Sequence, residues 1–253
     1  MIDPKLPLVI QAVGLACVPV DDMPPDTVLA RKPVAAAIIS LVAREDGHRD
    51  AIVTCVSDAS ALEWPLPVLI DRALLPGAAT IITKPDRDVL LLDTASRRFF
   101  VEDKIASLGQ EEALFDPVAT FGQGFDEAAL CRRLGIPPNL VPDDDVARWW
   151  NRDVPGPVEG VALTAAVARL VLWAHATATR SAAPDAFFET LVSLREQLFE
   201  LEAEYPVLKA MLASRPFHRA ASFASDYRAY RAQRDTGDAN ARWVTFEDGL
   251  THV

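Results

Sequence analysis

The sequence predicts an α/β domain whose C-terminal half is helical. Three observations carry this. Apolar runs at residues 8–18, 34–43 and 51–56 are bounded by proline or polar segments, as strands are. A helix, strand and helix pattern follows as far as residue 96. From Phe125 onward only helix-type spacing appears.

Taken in order, residues 8–18 are almost wholly apolar, with Gln11 the single polar interruption and Pro7 and Pro19 bracketing the run. That favours a strand. The acidic, proline-containing stretch 21–32 reads as loop. Runs 34–43 and 51–56 are joined by the polar sequence 45–50, a hairpin signal, although the alanines of the first run also allow a helix. Residues 66–75 fit a short helix ended by Pro76-Gly77, 79–83 a strand, and 88–96 a second helix. Residues 125–134 predict a helix stopped by Gly135, with Arg132 and Arg133 in its last turn. The run 163–176 predicts a buried helix. Pro184 begins another, in which Leu191, Leu194, Leu198 and Leu201 recur at helical spacing, and Pro206 interrupts it. Asp143, Asp144 and Asp145 read as a helix cap, and residues 243–246 as one further strand.

Composition limits the function classes. The chain has 253 residues, half of them apolar, which suits one globular domain with a sizeable core. With 36 acidic against 25 basic side chains, the net charge is −11. Strong nonspecific nucleic-acid binding normally needs the opposite balance. Cys17, Cys55 and Cys131 lie far apart, which points to buried free thiols rather than a zinc site or disulfides. His48, His175, His218 and His252 show no ligand spacing, and His175 on its apolar helix reads as a core or interface residue. No cleavable leader and no apolar run of membrane-spanning length is expected, so a soluble cytoplasmic protein without membrane attachment is the default.

One stretch carries a resemblance. Pro157-Val158-Glu159-Gly160-Val161-Ala162-Leu163-Thr164-Ala165 opens the long apolar helix. It is similar to the Tyr-Cys-Glu-x-Asp-Val-x-x-Thr motif of the DNA polymerase B-like 3′-5′ exonucleases of the DEDD superfamily. The order of elements over residues 8 to 212 resembles that family too. Its Phe-Asp-x-Glu-Thr strand matches residues 10–14, and its Asn-Gly-Arg-Gly-Phe-Asp motif matches residues 83–88. The sequence Phe121-Gly122-Gln123-Gly124-Phe125-Asp126 also looks like that second motif, but placing it there leaves too little chain before Pro157. The resemblance implies an RNase H-like fold of the exonuclease type, a mixed sheet flanked by helices. Residues 1–214 would form the exonuclease-like domain, and 215–253 a C-terminal extension packed on or trailing it.

The resemblance also implies where catalytic groups should stand, and most are missing. Two-metal phosphodiester hydrolysis holds two cations about 3.5–4 Å apart on carboxylates. The matching positions are Gln11, Val13, Asp88 and Val161, with Pro157 in place of the tyrosine that positions water. One carboxylate of four remains, with Glu159 nearby as a substitute ligand. Gln11 alternatively reads as a satisfied buried amide, and Asp88 as a helix cap. The leading expectation is an inactive exonuclease-like protein without metal or cofactor, acting by binding a protein partner or a nucleic-acid end. For the latter, Arg219, Arg228, Arg231 and Arg234, interleaved with Tyr227 and Tyr230, are the candidates. An active exonuclease on DNA or RNA would use Mg²⁺ or Mn²⁺ with Asp88, Glu159, Asp21 or Asp22. A structural oligomer subunit would expose Trp149, Trp150 and Trp173 as contacts.

Overall fold

The computed structural model describes residues 8–20, 30–45, 49–58, 64–81, 104–107, 114–115, 126–137, 141, 143–178, 181 and 183–237. Strands β1 (Val9–Pro19), β2 (Arg31–Ala43) and β3 (Arg49–Ser57) form an antiparallel meander. Helix α1 (Leu66–Ala73) leads to β4 (Ala79–Ile81), which lies parallel to β1, with Gln11 opposite Thr80. Helix α2 (Lys104–Ser107) precedes β5 (Leu114–Phe115), parallel to β4. The result is a mixed sheet ordered β3-β2-β1-β4-β5, in which β2 runs against the rest. Helices α3 (Glu127–Leu134), α4 (Asp143–Trp150), α5 (Pro155–Ala178), α6 (Pro184–Phe199), α7 (Leu208–Leu212) and α8 (Arg215–Asp235) complete the described chain.

The expected strand at 8–18 and the one at 79–81 are thus adjacent in the sheet. A continuous apolar run is what a central strand covered on both faces requires. The run 34–43 is a strand despite its alanines, because it lies between β1 and β3. Its Ala35 and Ala37 let the helical layer approach closely, and packing of this kind outweighs local propensity. The loop expected as far as Lys32 ends sooner, since β2 already begins at Arg31, and β3 takes in Arg49 and Asp50.

Strand alternation divides the core into two layers. Ile10, Ala12, Ala16 and Val18 of β1 meet α5, while Val13, Leu15 and Cys17 point to the other face and pack on Leu66 and Ile70 of α1 and on Leu74 just past its end. There α2 closes the end of α1: Lys104 Nζ donates to the carbonyls of Asp71 and Leu74, and Asp71 accepts from Ile105 N at 3.2 Å.

The helices start and stop as their sequences dictate. Asp126, from the rejected second-motif match, is the N-cap of α3 and accepts from Ala128 N and Ala129 N. Gly135, at φ 72°, ends that helix in the left-handed conformation. Asp143, Asp144 and Asp145 are the first turn of α4 rather than its cap, where negative charge suits the helix dipole. Helix α5 runs 24 residues, so the expectation that no apolar stretch reaches membrane-spanning length is corrected. Here that helix is buried in the protein between β1 and β2 on one side and α4, α6 and α7 on the other. Helix α8 adds Phe217, Ala220 and Ala224 to the same core. The strand expected at 243–246 and the helix at 88–96 lie outside the described residues.

Candidate functional site

The positions matched to the exonuclease metal ligands fall on β1, on the start of α5 and at Asp88. Gln11 is fully buried and both ends of its amide are used. Its Nε2 donates to Ser40 Oγ at 2.7 Å, and its Oε1 accepts from Leu75 N at 3.1 Å. Ser40 is its direct cross-strand partner on β2, so the amide staples β1, β2 and the turn after α1 on the α1 face. The satisfied-amide reading is the one the contacts support.

Val13 shares that face, two residues along the strand, in the apolar layer against α1. Val161 lies on the opposite side of the sheet, in the α5 layer. The sequence comparison grouped these positions as one cluster; the structure does not bring them together, because the pleat turns residues 11 and 13 away from α5. On the α5 side the space is closed by Gly14. A Cβ there would lie 2.1 Å from Ala162 O, so helix and strand backbones touch where a metal-binding side chain would need room. Asp88, Asp21 and Asp22 lie outside the described residues. Among those described, no three His, Cys, Asp or Glu side chains are grouped to hold a metal ion.

Glu159 faces β3 rather than β1. Its carboxylate accepts from Ser57 Oγ at 2.7 Å and from Tyr205 OH at 3.2 Å. Tyr205 in turn adjoins the Cys55 thiol. Gly160 makes room for this arrangement, since a Cβ on it would come within 2.9 Å of Val207 Cγ1. The first turn of α5 is thereby tied to β3 and to the segment after α6. Burial, first of all, pushes the Cys55 thiol up to about 12, with Glu159 and Glu204 adding to the rise against the lowering effect of the Tyr205 hydrogen bond. Burial likewise raises the Tyr205 phenol. A thiol held protonated and a phenol held neutral supply neither nucleophile nor base at neutral pH. Pro157, at the tyrosine position, is exposed in the same turn.

Arg169 was not singled out from the sequence. It is the one Asp, Glu, Lys or Arg residue between 163 and 178, and a lone cation in an apolar helix signals a buried partner. Its side chain is 4% exposed, donates through Nη1 to Val13 O and faces Glu127 at 3.8 Å. It locks α5 and α3 to the central strand. Ser57 and Tyr205 carry no such signal, since their roles depend on elements far apart in sequence.

The arginines of α8 do not form one surface. Arg219, Arg228, Arg231 and Arg234 are all exposed, but Arg219 stands nine residues from Arg228, about half a turn round the helix at 3.6 residues per turn. Arg228 is paired with Glu189 at 2.8 Å. Tyr227 is buried against α6, with its ring 5.8 Å from that of Tyr230, so the expectation that it stacks on bases is corrected. The tryptophan expectation fails similarly. Trp173 is 7% exposed and packs on Phe187 at 5.4 Å, and Trp149 and Trp150 are half-buried. His175 is a core residue against Phe188, held by burial at about 4, well below the ordinary imidazole value. Cys17 and Cys131 are buried and Cys55 is half-buried.

Comparison with known proteins gives no match: no family model fits the chain, and no curated protein or solved structure is significantly similar to it. The class that fold and site define directly is an α/β protein with a mixed sheet flanked by helices.

Proposed function

We propose that this chain is an RNase H-like domain of the 3′-5′ exonuclease type that lacks a working metal centre and acts by binding a protein partner. The fold part is supported by the element order, by β4 lying parallel beside β1, and by α5 packing across β1. The observation that carries the functional part is the closure of β1. The strand has no acidic residue; one face is spent on the Gln11–Ser40 staple and the other on the Gly14–Ala162 contact. Mg²⁺ or Mn²⁺ would need several oxygen ligands converging there.

The alternative centre built on Asp88 with Glu159 and Asp21 or Asp22 is less well supported, because each Glu159 oxygen already accepts a hydroxyl proton. A nucleic-acid end is the less favoured ligand. Net charge is −11, Arg228 is spent on Glu189, and Arg219 is turned away. Calorimetry with millimolar Mn²⁺ tests the metal part: no saturable two-ion binding is expected, and two-site binding abolished by Asp88→Ala overturns it. Single-stranded DNA binding at physiological salt tests the ligand part. Tight binding that weakens steeply with salt, and is lost when Arg231 and Arg234 are neutralised, would assign nucleic acid instead of protein.

A further inference from the structure

Helix α8 begins without the partners that a helix start normally has. Its N-cap, Ser214, has the extended backbone of a cap, at φ −72° and ψ 153°, yet its side chain makes no capping bond. Ser214 is 6% exposed, and its hydroxyl oxygen is buried without a hydrogen-bond partner. Among the described residues, Arg215 N and Phe217 N have no acceptor, and Pro216 has no N–H to offer. The helical ladder starts only at His218 N, which donates to Ser214 O at 3.2 Å. Three donors are thus left unused at one helix end, where the dipole adds partial positive charge.

The charges gathered there have the wrong sign for a helix start. No Asp or Glu occurs between Glu204 and Asp226, although the chain carries −11. The first turns of α8 hold Arg215, His218 and Arg219 instead, all exposed. Two other elements add cations. A Cβ on Gly135 would lie 3.3 Å from Arg215 Cβ, so the last turn of α3, with exposed Arg132 and Arg133, adjoins the head of α8. Arg195 of α6 donates from Nε to Leu212 O at 3.3 Å, two residues before Ser214. Among the described residues, none of these five arginines is in ion-pair contact with a carboxylate.

We propose that the head of α8 binds a phosphate group, as inorganic phosphate or as the monoester of a phosphorylated side chain on the partner protein. Such an anion offsets the repulsion among the arginines, answers the helix dipole and accepts from the unused N–H groups together. A carboxylate presents two oxygens in one plane. The Ser214 hydroxyl, two backbone N–H groups and the guanidinium forks call for a tetrahedral oxyanion with more acceptors. Ser214 is the innermost of these groups and the exposed Arg215 and Arg219 the outermost, so the arginines draw the anion in and the helix end seats it. The phosphoester source extends the protein-partner reading above, but the site itself depends neither on that reading nor on the metal centre.

Calorimetry on the full chain at low ionic strength tests this with inorganic phosphate, N-acetyl-O-phosphoserine amide and acetate. One saturable site is expected for the two phosphates, about tenfold tighter than for acetate and weakening with salt. The amide NMR resonances of Arg215 and Phe217 should shift over the same titration. Ser214→Ala removes a hydroxyl without a partner, so the fold should be unchanged while phosphate affinity falls about threefold. Arg215→Gln should lower it about fivefold. Arg228→Gln, about 20 Å along the helix, should leave it unchanged. Tighter binding of the phosphoserine amide assigns the site to a phosphorylated partner, and tighter binding of free phosphate assigns it to the inorganic ion. Phosphate binding that is absent at millimolar concentration, equalled by acetate, or unaffected by both the Ser214 and Arg215 variants overturns the proposal.

Discussion

Gly14 of β1 and Ala162 of α5 are in backbone contact: a Cβ on Gly14 would lie 2.1 Å from the Ala162 carbonyl oxygen and 2.5 Å from Ala166 N. The central strand and the central helix therefore meet without intervening side chains. Val161 and Ala166, on either side of this contact, are buried in the α5 layer. Since both partners are backbone within regular elements, neither can swing aside.

Gly14→Ala should accordingly be among the most damaging single-methyl additions in the molecule. Overpacking a rigid core costs about 1–3 kcal/mol and occasionally more, and here the upper end is expected. Urea unfolding of the variant beside wild type measures it. Gly160→Ala meets the end of the Val207 side chain instead, at 2.9 Å, and Val207 is partly exposed and able to shift. Its loss of stability should be the smaller of the two, and the reverse ranking would contradict the packing described.

The Glu159 cluster should behave as a structural tie. Glu159→Ala removes the acceptor of the buried Ser57 hydroxyl and of Tyr205, which should cost about 1–3 kcal/mol of stability. Tyr205→Phe removes one of these bonds alone. A double-mutant cycle between the two should give a coupling of at least about 0.5 kcal/mol. Strict additivity would mean that the Tyr205–Glu159 bond contributes nothing.

Much of this architecture was legible in the sequence, for identifiable reasons. The proline-bracketed run 8–18, the hairpin at 34–56 and the glycine stop at Gly135 are local signals, and each produced the expected element. The two short elements α2 and β5 carry too few residues for a periodic pattern and were not foreseen. The candidate site was less legible, because alignment positions do not say which face of a strand a side chain takes. One residue of strand register separates Gln11 and Val13 from the α5 face, and that alternation divides the expected cluster. The tie between Ser57, Glu159 and Tyr205 joins residues about 100 and 46 positions apart, which no local pattern encodes.

His175 gives the protein a pH dependence with a definite sign. Its folded value is about 4 against an ordinary 6.5, and burial is the cause, so the folded state favours the neutral ring. The unfolded chain takes up a proton first as pH falls below about 6.5, and the native ring does not follow until near 4. Stability is therefore complete above this window and is lost through it. The slope approaches about 1.4 kcal/mol per pH unit, and the total loss is about 3 kcal/mol. Carboxylates titrate in part of the same range, so the comparison is with His175→Leu. Unfolding free energies measured from pH 7 to 4 should fall more steeply for wild type than for this variant, and parallel curves would contradict a buried neutral His175.

On the proposed reading, β1 and α5 meet where an exonuclease would hold its metals, and the chain is a binding domain without hydrolytic activity. Incubation of labelled single-stranded DNA and RNA oligonucleotides with the purified chain, in Mg²⁺ and in Mn²⁺, tests this most directly. Products are resolved by length, with Asp88→Ala run in parallel. No shortening from the 3′ end is expected from either protein in either metal. Progressive 3′-end shortening by wild type, absent from Asp88→Ala, would contradict it and assign the chain an active metal centre.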